Sequence, residues 1–354
     1  MHYPENKDSQ YIFDRLGSCL ENGLPFAIYR KPNEKSVLAI FQSNADLNTT
    51  TDFSENGFVF APFSLEEGII LIRPDECYQS KVQVEGKLNA KEPGVSEFGK
   101  EEHIHLVEKG IAEIKSGRLK KVVLARKLEA KISKSTITLF KDLLGNYPNA
   151  FCYLFHHPKV GTWCGATPET LVKIKDGKLT TMSLAATLPF EENVKPKWGA
   201  KEIEEQQMVS DHIQNSLGKL MDHLEIGQTE SVKAGNLWHL RSEVNGIPRP
   251  DTSLLDIIES LHPTPAVCGI PTNAAKKFIL QNEKCKRTFY TGFLGELNMP
   301  SDGVTSLFVN LRCMEIKGAS AAIFVGGGIT ASSVAEQEWI ETQNKSKTML
   351  RILQ

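Results

Sequence analysis

Residues 321–345, AAIFVGGGITASSVAEQEWIETQNK, join a short apolar segment to a charged helix through three consecutive glycines. The apolar run 321–325 predicts a buried strand. The glycines 326–328 allow backbone N–H groups to point together, and the start of the following helix adds its positive end, a combination that suits an anion. Taken alone, the segment is equally compatible with a flexible turn before a solvated helix.

The predicted helix carries two carboxylates and an amine on one face. Glu338, Glu341 and Lys345 are spaced i, i+3 and i+7, so their side chains lie on the same side of the helix. The segment therefore places acidic and basic groups directly after a candidate anion site.

Outward from this segment, strands and helices follow one another without regular alternation. Strands are predicted at 25–29, 37–41, 57–61, 68–72, 122–124, 151–155, 171–174, 179–183, 289–294 and 306–316. Helices are predicted at 101–116, 136–144, 198–224 and 254–261. Because a doubly wound fold needs regular βαβ units, this order favours an α+β fold with a largely antiparallel sheet.

Composition excludes several classes of protein. The chain has 354 residues and a formal net charge of -2, with no long basic block of the kind that binds nucleic acid. The sequence contains no signal peptide pattern and no apolar stretch long enough to span a bilayer, so a cytoplasmic protein is expected. Its seven cysteines form no CxxC pair, which argues against a disulfide framework or a structural zinc site.

One acidic residue lies in line with a core-facing helical stripe. The stripe in the helix at 198–224 consists of Val209, Ile213, Leu217, Leu220 and Leu224, and one turn earlier it reaches Glu205. A carboxylate in that position needs a cation, a donor or a proton, unless the helix end is solvated. Glu205 is therefore a candidate ligand.

Three other residues are candidates for chemistry. Lys121 stands at the mouth of a buried strand, where desolvation favours a neutral amine that can act as a base. Glu169 follows the rigid turn GATP, where a raised pKa would suit a general acid. Arg312 interrupts an apolar strand and needs a carboxylate or phosphate partner. Each residue also has an interpretation without a chemical role. Lys121 would then be a surface lysine, Glu169 an ordinary turn glutamate, and Arg312 part of a structural ion pair.

Seven motifs in fixed order give the chain a family resemblance. They are KVVLAR at 121–126, GATPE at 165–169, LWHLRS at 237–242, LHPTPAVCG at 261–269, RTFYTGFLG at 287–295, GGGIT at 326–330 and EWIET at 338–342. Together they resemble the chorismate-utilising enzymes, the family of anthranilate synthase component I. The resemblance implies two packed, mostly antiparallel sheets flanked by helices. It is weak in residues 1–100 and strong in residues 101–354, which we expect to form one structural domain.

Within this family the chain is most similar to the isochorismate synthases. Lysine at position 121 resembles the general base of the branch that uses water, whereas the anthranilate-type branch usually carries glutamine there. The loop 263–268 is also similar to the isochorismate branch. The resemblance implies an isomerase (hydroxymutase) that adds water at C2 of chorismate while the C4 hydroxyl leaves, with Lys121 as base and Glu169 as acid.

The resemblance also implies a binding site for substrate and Mg²⁺. Glu205 and Glu341 would hold the metal, with Glu338 close by. The substrate-binding residues would be Ala185, Ala186, Thr187, His239, Ala266, Tyr290, Arg312, Gly327, Gly328 and Lys345. Three positions depart from the family pattern: Ala186 replaces a glycine, Gln206 replaces the histidine that usually follows the metal-binding glutamate, and Gly327 replaces the alanine of the usual GAG.

Several functional alternatives stay open at this point. A salicylate synthase shares the first step and then eliminates pyruvate, whereas an anthranilate or aminodeoxychorismate synthase uses ammonia. A chorismate-binding protein without activity would not need an acid and a base. If water is the nucleophile, no amidotransferase subunit is needed, and we expect a monomer. The product would serve menaquinone or siderophore biosynthesis.

Overall fold

Two ten-stranded sheets form the centre of the protein in a computed structural model, which describes residues 4–83, 93–190, 192, 194–234, 237–299 and 303–354. The strands are β1 Glu5–Asn6, β2 Phe26–Arg30, β3 Ser36–Phe41, β4 Asn48–Thr50, β5 Gly57–Ala61, β6 Ile69–Ile72, β7 Glu76–Lys81, β8 Lys121–Lys131, β9 Phe151–His157, β10 Gly161–Thr167, β11 Thr170–Lys175, β12 Lys178–Pro189, β13 Met221–Ile226, β14 Glu230–Ala234, β15 Leu237–Pro248, β16 Gly269–Ile270, β17 Phe293–Met299, β18 Val304–Val309, β19 Cys313–Lys317 and β20 Ser320–Ile329. The helices are α1 Ser9–Asn22, α2 Lys100–Lys115, α3 Thr136–Asn146, α4 Ala200–Leu217, α5 Leu254–Leu261, α6 Thr272–Asn282 and α7 Ala335–Leu353.

The sheet topology is antiparallel almost throughout. The first sheet has the order β1-β7-β3-β2-β9-β10-β19-β20-β8-β16. The second has the order β13-β15-β12-β11-β18-β17-β5-β6-β4, with β14 beside β15. Among the described strands only β1 and β7 pair in parallel. The predicted α+β class with a largely antiparallel core is therefore confirmed.

Aromatic side chains fill the space between the two sheets. Phe60 of the second sheet stacks on Phe289 with ring centroids 4.2 Å apart and lies 4.4 Å from Phe155 of the first sheet. Phe151 and Phe308 make a second contact of this kind at 4.1 Å. Burial of these large rings is the main favourable term that holds the sheets together.

Two of the connections between the sheets lie next to each other. Residues 168–169 connect β10 of the first sheet to β11 of the second, and residues 310–312 connect β18 back to β19. The two crossovers are hydrogen-bonded to each other: the Val309 amide donates to the Glu169 carbonyl, and the Ala166 amide donates to the Arg312 carbonyl, both at 3.0 Å. The fold thus places Glu169 and Arg312 side by side.

Three predicted elements differ from the structure. The helix predicted to end at residue 224 ends at Leu217, because the next residues form β13 and pair with β15 instead. The strand predicted at 306–316 is two strands, so Arg312 lies in a crossover with φ 47° and not inside a strand. The strand predicted at 289–294 begins only at Phe293, because residues 287–292 form a turn.

The glycine triplet also differs from its prediction. Residues 326–328 lie within β20 and pair with residues 123–125 of β8. Helix α7 begins seven residues after the last of these glycines, at Ala335. The triplet is therefore part of a strand and not a turn that leads directly into a helix start.

No helix among the described residues is long and apolar enough to cross a membrane.

Ala186 adopts a backbone conformation that favours glycine. Its φ is 59°, within the irregular part of β12 where the pairing with β15 shifts register between Ala185 and Leu188. A left-handed conformation costs a residue with a Cβ roughly 1–2 kcal/mol, and the greater freedom of glycine in the unfolded chain offsets part of that. This strain gives a physical reason for the glycine of the family pattern.

We predict that Ala186→Gly raises the free energy of unfolding by roughly 0.5–1 kcal/mol, as measured by urea denaturation. The matched control is Ala185→Gly, which alters a neighbouring residue without positive φ and should lower stability by roughly 0.5–1 kcal/mol. Equal effects of the two substitutions would contradict the strain at Ala186.

Candidate active site

A cavity lies beside the two crossovers. It is lined by most of the predicted site residues: Glu169, Ala185, Ala186, Thr187, Glu205, His239, Ala266, Tyr290, Arg312, Gly328, Glu341 and Lys345. Sequence reasoning did not single out the apolar part of the wall, which includes Val123, Leu184, Leu311 and Phe324. The structure therefore gathers residues from distant parts of the chain around one space.

Three predicted residues do not line the cavity. Lys121 is completely buried behind its wall, at the start of β8. Gly327 faces away, since a Cβ added there would lie 3.4 Å from Glu338 Oε2 and 3.7 Å from Glu341 Oε1. Glu338 lies behind Gly327 with only 1% of its side chain exposed. These three groups are adjacent to the cavity without forming its surface.

Arg312 provides positive charge in the cavity wall. Its Nη1 donates to Thr348 Oγ1 at 3.2 Å, and no carboxylate among the described residues forms an ion pair with it. Burial lowers the pKa of its guanidinium below the usual 12.5. A partly buried guanidinium without a carboxylate is well suited to an anionic ligand.

His239 is a neutral imidazole beside Arg312. Burial and then the charges of Arg312 and Lys345 lower its pKa to about 3. Nδ1 lies 2.9 Å from the Ala186 carbonyl, which can only accept, so Nδ1 carries the proton. Nε2 then presents its lone pair to Arg312 Nη2 at 3.5 Å. The ring is thus an orienting group for Arg312 and a polar part of the wall.

Glu169, a predicted general acid, lies in the turn between β10 and β11. Burial raises its pKa to about 8, although the positive charges of Lys121 and Lys345 act in the opposite direction. The carboxyl is therefore largely protonated near neutral pH. A protonated carboxyl in a cavity that binds an anionic substrate can donate a proton to a leaving group.

Lys121 is paired with Glu205 on helix α4. The Lys121 Nζ lies 2.9 Å from Glu205 Oε1. Burial acts against ionisation of Glu205, but the lysines around it, Lys121 first, outweigh burial and lower its pKa. The close approach depends on Gly328, where an added Cβ would lie only 2.6 Å from Glu205 Oε1.

Each of the three predicted metal ligands carries a lysine partner. Glu205 pairs with Lys121, Glu338 Oε1 lies 2.7 Å from Lys201 Nζ, and Glu341 Oε1 lies 2.6 Å from Lys345 Nζ. Burial acts to lower the pKa of Lys201, but the charges of Glu338, Glu341 and Glu205 outweigh burial. The net effect is a pKa above the usual 10.5. The charges of the three carboxylates therefore all act on Lys201. Lys201 was not identified from the sequence, although it lies one helical turn before Glu205.

The carboxylates fit a cation, although they are not arranged as a ready metal centre. Among the described residues, no group of three or more His, Cys, Asp or Glu side chains is placed to hold a metal ion. Glu338 Oε2 is nevertheless buried without a hydrogen-bond partner, and burial and the charge of Glu341 raise the pKa of this carboxyl. An unpartnered carboxylate oxygen beside two further carboxylates is the donor chemistry that Mg²⁺ requires.

Gln206 has a structural position. Its Nε2 donates to Ser183 Oγ at 2.8 Å and to the Ser183 carbonyl at 3.1 Å, and the side chain is buried between α4 and β12. The departure from the family histidine therefore affects the attachment of the helix to the sheet, and Gln206 is not part of the cavity wall.

Known proteins resemble this chain along most of its length. Residues 72–354 match the family described as chorismate binding enzymes. Isochorismate synthase DhbC of Bacillus subtilis is 31% identical over 272 residues, which cover 72% of this chain and 68% of that protein. Anthranilate synthase component 1 of Pseudomonas aeruginosa is 27% identical over 84% of this chain, which spans 62% of that protein's length.

A solved structure shows the same architecture. The protein from Bacillus anthracis assigned as the 2,3-dihydroxybenzoate-specific isochorismate synthase DhbC superposes with a TM-score of 0.81 at 25% identity, over 96% of this chain and 99% of the other. This similarity covers both sheets and the strands contributed by the first hundred residues. The resemblance seen in the seven motifs is confirmed, and the chain belongs to the family of chorismate-binding enzymes.

Proposed function

We propose that this chain is an isochorismate synthase, an isomerase that converts chorismate to isochorismate reversibly with the help of Mg²⁺. The observation that carries the proposal is the combination of a buried lysine at position 121 with Glu169, a carboxyl whose pKa is raised to about 8. A site that only bound chorismate would need neither a base nor a protonated acid. The similarity to isochorismate synthase DhbC supports the same activity.

The substrate has two carboxylates, and the cavity offers several groups to hold them. Arg312 has no carboxylate partner among the described residues, and Lys345 donates to the Gly326 carbonyl at 3.0 Å beside it. With Tyr290 and the backbone near Gly328, these groups would hold the pyruvyl carboxylate. The neutral His239 and the strand residues Ala185, Ala186 and Thr187 would line the ring.

The reaction requires one proton to be accepted and one to be donated. Water adds at C2 of the ring, and the Lys121 amine takes its proton. Glu169 donates its carboxyl proton to the C4 hydroxyl, which leaves as water. Lys121 Nζ lies 2.9 Å from Glu205 Oε1, so this carboxylate holds the amine in place.

Glu205 and Glu341 would hold Mg²⁺, with Glu338 nearby. When bound, the metal would neutralise the carboxylates and attract an anionic substrate group. The support for this assignment is the unpartnered Glu338 Oε2 and the common action of all three carboxylates on Lys201. The same site is formed by residues of one chain, which supports a monomer without an amidotransferase subunit.

The product distinguishes the candidate functions. We predict that the protein converts chorismate with Mg²⁺ to isochorismate alone, as separated by liquid chromatography, and that ammonium salts do not change the product. Accumulation of salicylate and pyruvate would instead indicate a salicylate synthase. Ammonia-dependent formation of a fluorescent aminobenzoate would indicate the anthranilate-type activity of the Pseudomonas relative.

The adjacent residues Lys120 and Lys121 provide a control variant and a test variant for this assay. Lys121→Gln should lower kcat by about 10²–10⁴, because it removes the base. The control is Lys120→Gln, which alters the exposed preceding residue and should leave turnover unchanged. Equal turnover of the two variants would refute the assigned role of Lys121.

The raised pKa of Glu169 predicts the alkaline limb of the pH profile. The acid must be protonated to work, so kcat/KM should fall about tenfold per pH unit above the pKa of about 8. Glu169→Gln should abolish turnover at every pH, because an amide cannot donate the proton as an acid does. A wild-type profile that stays flat to pH 9.5 would contradict this role.

Metal binding can be measured directly by calorimetry. Glu205→Gln and Glu341→Gln should each weaken Mg²⁺ binding at least tenfold, because each removes a charged oxygen ligand. The control is Glu204→Gln on the exposed face of α4, which should bind Mg²⁺ like the wild type. Unchanged Mg²⁺ binding in both ligand variants would refute the metal assignment and leave the fold assignment intact.

A further inference from the structure

A second cavity lies between α2, the middle of β8 and the segment that follows α6. We call it the α2 cavity. Its walls include His103 and Lys109 of α2, Arg126 of β8, and Lys284. It has no lining residue in common with the candidate active site, so nothing in the proposed mechanism explains it.

Two side chains of the cavity wall carry buried nitrogen atoms that have no hydrogen-bond partner among the described residues. Arg126 is 9% exposed, and among the described residues its Nη2 has no partner. His103 is 4% exposed, and both of its ring nitrogens are likewise unpartnered. Because an unsatisfied buried donor costs roughly 1–3 kcal/mol in a protein interior, such a cluster indicates a missing acceptor.

The Arg126 side chain is held in a fixed position. Its Nε donates to Thr342 Oγ1 at 2.8 Å, and its guanidinium lies 3.9 Å from the centre of the Trp339 ring. Burial lowers its pKa to about 10, although the charge of Glu97 acts in the opposite direction, so the group stays charged at neutral pH. A preorganised, charged guanidinium in the cavity wall suits a carboxylate.

The remaining walls add positive charge and apolar surface. The cationic side chains that line the cavity are Lys109, Arg126, Lys127 and Lys284, against the single carboxylate of Glu102, which pairs with Lys284 at 2.5 Å. Apolar surface comes from Leu106 and from Phe98, whose ring is 89% exposed at the rim. A ligand that matches both features is an anion with a flat apolar body.

We propose that the α2 cavity binds a small aromatic carboxylate. The carboxylate accepts from the part of the Arg126 guanidinium that lines the cavity, and the aromatic ring packs on Phe98 and Leu106. Lys109 and Lys284 at the rim attract the anion from solution.

Benzoate is the probe that tests this site. Isothermal titration should show saturable binding of benzoate to the wild-type protein and at least tenfold weaker binding of benzyl alcohol, which lacks the charge. Inorganic phosphate should also bind at least tenfold more weakly, because it lacks the ring. Phosphate binding as tight as that of benzoate, or no saturable benzoate binding, would overturn the proposal.

Two variants localise the probe. Phe98→Ala changes an exposed side chain and should weaken benzoate binding about threefold to tenfold without loss of folding. Arg126→Lys keeps the charge but removes the planar fork, so it should weaken binding at least tenfold. The matched control is Lys219→Ala, an exposed lysine after α4 that lies outside the lining of the cavity, which should bind benzoate normally.

The indole N–H of Trp339 gives a local signal for the same event. In protein labelled with ¹⁵N-tryptophan, benzoate should shift the Trp339 resonance, assigned with Trp339→Phe, and leave the other indoles unchanged. The shift should persist in Arg312→Gln, which alters the candidate active site. Loss of the shift in Arg312→Gln would place benzoate in the active site and refute a separate site.

Discussion

The site depends on the buried side chain of Asn310, which fixes the crossover between the two sheets. Its Nδ2 donates to the Phe289 carbonyl at 2.9 Å, and its Oδ1 accepts from the Tyr153 hydroxyl at 2.7 Å. Its backbone also exchanges hydrogen bonds with Thr291 and Gly292. Since an amide satisfied on both sides in the interior is costly to disturb, this one residue ties the crossover at 310–312 to β9 and to the turn at 287–292.

Charge balance is the second constraint on the site. Lysines and carboxylates are buried together in pairs, with Lys121 on Glu205 and Lys201 on Glu338. A buried ion pair gains little net stability over an apolar pair, and loss of one partner costs several kcal/mol. A cluster of this kind is therefore better explained by binding and proton transfer than by stability. Glu169 stands apart from these pairs, which is why burial can keep it protonated.

The sequence predicted the family and the residues that meet at the cavity better than their geometry. The motif order identified the family, and Lys121, Glu169, Glu205 and Arg312 were all found at or next to one cavity. The glycine triplet was misread as a cradle before a helix, because glycine in a turn and glycine in a crowded strand look alike in a sequence. Lys201 was missed, because a lysine on an amphipathic helix is usually solvated and only the approach of α7 makes it a partner of Glu338.

By itself, the sequence determined the α+β class, the family and the types of residue available for acid, base and anion binding, because apolar periodicity and motif order are local properties of the chain. The tertiary structure alone decided where β13 replaces the end of a helix and why Arg312 lies outside a strand. It also decided that side chains as far apart in sequence as Val123 and Lys345 line the same cavity. These features depend on strand pairing and on the burial of charge, and both arise only when distant segments meet.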